Sequence, residues 1–193
     1  MVGLVDSSES WPVVDTADLH RDGWVMALRA DSVTMPGDEP GAPFRRLVLE
    51  HPGAAVVLAV DDDDQVVCLR QYRHPAGRRF VQLPAGLIDV VGEDPLEVAR
   101  RELGEEVGLA ASQWTHLVST YSSPGISAEL VHLYLARGLS EVGRGDFEVH
   151  HEEADMEVFR APFADLLQAV LDGDVQEAGV IIAVLSARAR GLV

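Results

Sequence analysis

Residues 84–109 constrain this chain most. Pro84-Ala85-Gly86-Leu87-Ile88-Asp89 leads through Gly92-Glu93-Asp94-Pro95 into Arg101-Glu102-Leu103-Gly104-Glu105-Glu106-Val107-Gly108-Leu109. The pattern predicts a glycine-containing turn feeding a short helix. Asp94 is placed to cap that helix and Pro95 to fill its first position. Glu97, three residues after the cap, has the spacing of a capping box. Gly108 is the expected stop. Leu96, Ala99, Leu103 and Val107 recur at helical spacing and form an apolar stripe for packing on a sheet, while Glu102 and Glu106 stack one turn apart on another face.

Helix stability alone does not explain these residues. Like charges one turn apart cost an isolated helix roughly 0.2–0.5 kcal/mol, and an interior glycine such as Gly104 costs about 1 kcal/mol relative to alanine. A hard divalent cation would offset the repulsion, because Mg²⁺ takes carboxylate, carbonyl and water oxygens and works beside substrate phosphates. Glu102, Glu105 and Glu106 are suitable donors. The plainer alternative is a solvated acidic face with Arg101 paired to Glu105.

At these residues the chain resembles the Nudix hydrolases, whose box reads G-x5-E-x7-R-E-U-x-E-E-x-G-U with U aliphatic. Glu93, Arg101, Glu102, Leu103, Glu105, Glu106, Gly108 and Leu109 match it at its internal spacing. One departure is visible: Gly86 stands one residue too far from Glu93, so Val90 or Val91 is extra in the connecting loop. A loop absorbs one residue at little entropic cost.

The resemblance implies an α/β fold, the Nudix α/β/α sandwich with a mixed sheet, over residues 51–193. Residues 1–50 add a small N-terminal β segment. Gln71-Tyr72-Arg73, Leu83-Pro84-Ala85-Gly86 and Ser123-Pro124-Gly125 look like the ADP-ribose pyrophosphatase branch, in which such a segment joins two subunits into a homodimer. The resemblance implies hydrolysis of the ADP-ribose pyrophosphate to AMP and ribose 5-phosphate, with Mg²⁺ as cofactor and Mn²⁺ as a substitute. Its metal set is Glu102, Glu105, Glu106 and the Ala85 carbonyl. Gly86, Glu93 and Arg101 support the loop and helix. Two other functions stay open: hydrolysis of another nucleoside diphosphate sugar, and a sensor that binds ADP-ribose without cleaving it.

Other candidates lie outside the box. His150-His151-Glu152-Glu153-Ala154-Asp155 forms an acidic loop in which Glu153, then Glu152, is the expected base that activates water. Arg73 is the expected phosphate clamp, since a guanidinium presents a fixed fork of donors. Trp24 or Phe44 is expected to stack on adenine, with core packing the equal alternative. Many relatives carry glutamate where this chain has Gln82, which is left out of the metal set.

Composition sets the outer bounds. A chain of 193 residues that is 47% hydrophobic is long enough to bury a core. Its formal charge of −17, with every one of its 15 basic residues an arginine, argues against a nucleic-acid partner and excludes lysine as a base. No apolar run reaches the ~20 residues of a membrane span, and the acidic, serine-rich N-terminus lacks a signal peptide's basic start. The expectation is a cytoplasmic enzyme. Cys68, the single cysteine, sits in an apolar run and reads as a small buried hydrophobe. Asp61 to Asp64 read as a solvated hairpin turn rather than a metal site. Strands are expected at 24–33, 44–49, 54–60, 66–71, 114–121, 129–136 and 156–160, and further helices at 163–171 and 177–189.

Overall fold

A computed structural model describes residues 3–37, 41–145 and 155–193. The chain forms two compact units. One comprises residues 1–51 with 123–129, the other residues 52–122 with 130–193.

In the first unit, β1 (Val13–His20), β2 (Ala27–Val33) and β3 (Phe44–Glu50) form an antiparallel meander. Its buried residues are small or paired. Ala27 and Ala30 are 3% and 6% exposed. The Asp31 carboxylate is buried and accepts from Thr16 Oγ1 at 2.9 Å and Arg29 Nε at 3.0 Å, so its charge is compensated. Arg29 also pairs with Glu50, which Arg21 contacts at 2.7 Å. The Ser123-Pro124-Gly125 turn belongs to this unit, where the Leu49 amide donates to the Ile126 carbonyl at 2.8 Å.

The second unit is built on β4 (Ala54–Ala59), whose buried apolar run is that of a strand covered on both faces. It pairs in parallel with β9 (Leu130–Glu141) and antiparallel with β7 (Ala85–Leu87), and β8 (Leu109–Tyr121) completes the mixed sheet β7-β4-β9-β8. The strand period of two sorts its side chains between layers. Ala55, Val57 and Ala59 join Val98, Ala99 and Leu103 of α1 (Pro95–Val107) in one core. Val56 and Leu58 join Phe163, Leu166, Val180, Ala183 and Val184 of α2 (Phe163–Asp172) and α3 (Ala178–Ala189) in the other. The result is the expected α/β/α sandwich. A second antiparallel sheet, β10-β5-β6, combines β5 (Gln65–Arg73), β6 (Arg78–Gln82) and β10 (Glu157–Pro162).

Four local expectations change. Ala85–Leu87 is a strand, not part of a turn, because its backbone pairs with β4. Strand β2 begins at Ala27, and Trp24 precedes it in a bend where its amide donates to Asp22. β1 and β6 are strands that periodicity did not single out. The capping box does not close: Asp94 accepts from the Leu96 amide at 2.8 Å, but the Glu97 carboxylate turns to Arg100 at 2.6 Å. The Asp61 to Asp64 turn is held locally: Asp61 accepts the Asp63 and Gln65 amides and pairs with Arg160, and Asp64 pairs with Arg137.

Candidate active site

Helix α1 positions the site, and its ends are fixed by local chemistry. Pro95 needs no amide partner in the first turn. Gly108, at φ 69°, takes the left-handed conformation that closes the last turn, donating to the Gly104 carbonyl at 2.9 Å. Between these ends, the apolar stripe buries against β4, which turns Glu102 and Glu106 toward β7.

Both carboxylates are nearly inaccessible, Glu102 at 9% and Glu106 at 7%. Glu106 Oε2 accepts the Ala85 amide at 2.8 Å. Glu102 lies on Gly86: a β-carbon added there would stand 1.9 Å from Glu102 Oε1. Gly86 is therefore required by close approach of a side chain. The loop residue beyond the box is accommodated away from this contact. Ile88 donates to the Gly53 carbonyl and Glu93 to the Val90 carbonyl, while Val91 projects fully into solvent.

Arg101 is the electrostatic centre. Its guanidinium lies 2.7 Å from Glu102, 2.9 Å from Glu105, 3.8 Å from Glu93 and 4.0 Å from Asp89. Burial works against its charge, but Glu102, Glu105 and Glu93 outweigh that and hold its pKa above the ordinary arginine value. One cation serving four carboxylates leaves the site strongly negative. The sequence pairs Arg101 with Glu105 and groups it with Glu93 as support for the loop and helix, but does not point to Glu102 as a partner or to Asp89, which lies in the loop and has no helical spacing to betray it.

Three observations test the site against a divalent cation. Its donors are hard carboxylate oxygens. The missing side chain of Gly86 lets Glu102 lie directly on the β7 backbone, and among the described residues Glu93 Oε2 is buried with no hydrogen-bond partner. Among the described residues no three carboxylate, imidazole or thiolate groups are already gathered as a metal cluster. Glu102 and Glu105 are instead turned to Arg101, and Glu106 to the Ala85 amide. The chemistry of these donors fits a divalent cation.

The remaining candidates are placed as follows. Arg73 ends β5, and its Nε donates to Gln82 Oε1 at 2.8 Å, a partnership that sequence reasoning, having left Gln82 aside, did not anticipate. Trp24 is 63% exposed. The Phe44 ring carries the Arg46 guanidinium at 4.4 Å and the edge of Trp11 at 6.3 Å. Glu152 and Glu153 lie outside the described residues. Cys68 is fully buried, and burial pushes its thiol up to about 12, which removes it from nucleophilic chemistry. No helix among the described residues is long and apolar enough to cross a membrane.

An acidic helix packed on a mixed sheet in an α/β/α sandwich, with glycine at the strand it faces, defines a Nudix domain, and a NUDIX domain model matches residues 49–183. The chain belongs to the Nudix family. Within it, the chain is 45% identical to the ADP-ribose pyrophosphatase of Mycobacterium tuberculosis, covering 95% of this chain and 86% of that one. It is 36% identical to the methanol dehydrogenase activator of Bacillus methanolicus, covering 80% and 76%, and 36% identical to the ADP-ribose pyrophosphatase of Bacillus subtilis, covering 84% of each. A crystal structure of an ADP compounds hydrolase shares the fold at a TM-score of 0.71 and 23% identity, covering 97% of this chain and 98% of that one.

Proposed function

We propose that this protein hydrolyses the pyrophosphate of ADP-ribose to AMP and ribose 5-phosphate. The observation that carries the reading is the pair of nearly buried carboxylates, Glu102 and Glu106, held against the backbone of Ala85 and Gly86. The similarity to ADP-ribose pyrophosphatases over almost the whole chain supports the substrate.

Glu102, Glu105, Glu106 and the Ala85 carbonyl would hold Mg²⁺, with Mn²⁺ able to replace it. The bound ion supplies charge neutralisation and Lewis acidity at the pyrophosphate. Arg101, with Glu93, keeps Glu102 and Glu105 in place and limits their mutual repulsion. Arg73 binds a phosphate through the guanidinium nitrogens that Gln82 leaves unused. Glu153, with Glu152 second, takes the proton from the attacking water and aims the oxygen at phosphorus. Trp24 is the better aromatic candidate for adenine, because the Phe44 ring is already engaged by Arg46 and Trp11. Residues 1–50 serve as the dimerisation element and residues 51–193 as the catalytic domain of a cytoplasmic homodimer.

The test is Glu106→Gln assayed with ADP-ribose and Mg²⁺. Removing a metal-binding carboxylate takes away several kcal/mol of charge stabilisation, so kcat is expected to fall by ~100-fold or more with the circular dichroism spectrum unchanged. Full activity in this variant would sink the assignment. Parallel assays with other nucleoside diphosphate sugars identify the preferred substrate, and turnover itself excludes a sensor.

A further inference from the structure

The β5–β6 hairpin carries four arginines, and the way they are held divides them into two kinds. Arg70 is tied to a carboxylate, Glu157 at 3.1 Å, with its guanidinium 5.0 Å from the Phe159 ring centre. Arg79 is paired with Asp155. Arg73 and Arg78 are held by neutral amides instead: Arg73 Nε donates to Gln82 Oε1 at 2.8 Å, and Arg78 Nη1 donates to Gln176 Oε1 at 2.8 Å. Neither has a carboxylate within ion-pair distance among the described residues. This is unexpected in a chain where 32 acidic residues face 15 basic ones.

Register sharpens the contrast. Arg73 and Arg78 are direct partners across the ladder, so their side chains leave the same face of the hairpin. Like charges opposite each other destabilise a strand pair, and among the described residues no carboxylate pairs with either arginine to offset the repulsion. An amide oxygen fixes the direction of a guanidinium without neutralising it, so the charge and the remaining N–H donors stay available. An anion set between the two arginines removes the repulsion and accepts those donors in the geometry phosphate prefers.

We propose that Arg73 and Arg78 form one anion cradle for the diphosphate of the substrate, with Gln82 and Gln176 as positioning residues. The proposal rests on the reading of Arg73 as a phosphate-binding residue and extends it to Arg78 and the two glutamines. The neutrality of Gln82 is central to it: glutamate at that position would hold Arg73 equally well but cancel its charge.

The experiment has two readouts, steady-state kinetics with ADP-ribose at saturating Mg²⁺ and calorimetric binding of inorganic pyrophosphate in the same buffer. For Gln82→Glu, KM and the pyrophosphate Kd are expected to rise ~10-fold, the scale of one lost charge-assisted contact, with kcat within about twofold of wild type. Arg78→Ala is expected to do the same. In an Arg73→Ala background, Gln82→Glu is expected to have no further effect. If Gln82→Glu does not fold, Gln82→Met carries the test, since loss of the tether is expected to raise KM about threefold. A KM and Kd for Gln82→Glu at or below the wild-type values would overturn the proposal, as would an undiminished effect in the Arg73→Ala background. Unchanged pyrophosphate affinity in Arg73→Ala alone would overturn the reading of Arg73, and the cradle with it. Weakened pyrophosphate binding without ADP-ribose turnover would count against the substrate and leave the cradle standing.

Discussion

At the scale of single residues, Gly86 decides where the acidic site is. Gly86 does not take a positive φ; it is needed because Glu102 occupies the space a side chain would fill. In Gly86→Ala the new methyl group would meet Glu102 Oε1, Cδ and Cγ, all within 2.5 Å, so the whole glutamate side chain must swing away. We expect kcat to fall ~10-fold or more and the Mg²⁺ concentration for half-maximal activity to rise, on the scale of losing one ligand's orientation. The melting temperature should change little, because the displaced group is a side chain facing the site. Normal metal dependence in this variant would show that Glu102 has no fixed place. This contact was not legible in the sequence: the box marks Gly86 and Glu102, but their touching depends on the packing of α1 on β7.

At the scale of elements, local chemistry was readable and register was not. Helix α1 runs between the expected ends because Asp94, Pro95 and Gly108 act within one turn of themselves. Asp94→Ala should therefore lower unfolding stability by about 1 kcal/mol, measured from the denaturation midpoint. An unchanged midpoint would mean that the cap is dispensable. The Glu97 half of the capping box failed because Arg100 lies one turn on and offers a charged partner. β6 escaped notice because Arg78-Arg79-Phe80-Val81-Gln82 opens on two charges, and β7 because three residues carry no periodicity. Without β6 there was no ladder, and without the ladder neither the Arg73–Gln82 bond nor the Arg73–Arg78 pairing could be seen. The central strands were legible because burial on both faces writes a continuous apolar run, as in Val66-Val67-Cys68-Leu69.

At the scale of the whole molecule, charge and exposed apolar surface oppose each other. The chain carries −17 formally, yet β1 exposes Val13, Val14 and Leu19 at 54%, 56% and 46%. If this strand contributes to the proposed homodimer, sedimentation should give twice the 20.9 kDa chain mass. The double variant Val14→Asp, Leu19→Asp should give the single mass, since buried unpaired charges are costly. Two copies that each carry −17 would repel one another, so dissociation of the proposed dimer should increase at low salt, where screening is weakest. A wild-type protein that sediments as a monomer at all salt concentrations would refute the dimer.

The parallel ladder between β4 and β9 also bears on how the molecule acquires its structure. Ala54 pairs with Val131 and Ala59 with Ala136, so the catalytic helix and the strand it faces lie inside the loop which that pairing closes. Closing a long loop is entropically unfavourable before its contacts form, and non-local parallel pairing is among the slower events of folding. Helix α1 has the caps to form early, but Glu102 and Glu106 reach their places only when β4 holds β7 beneath them. We therefore expect the acidic site to be a late product of folding, so that in a refolding time course the helical signal returns before ADP-ribose hydrolysis does.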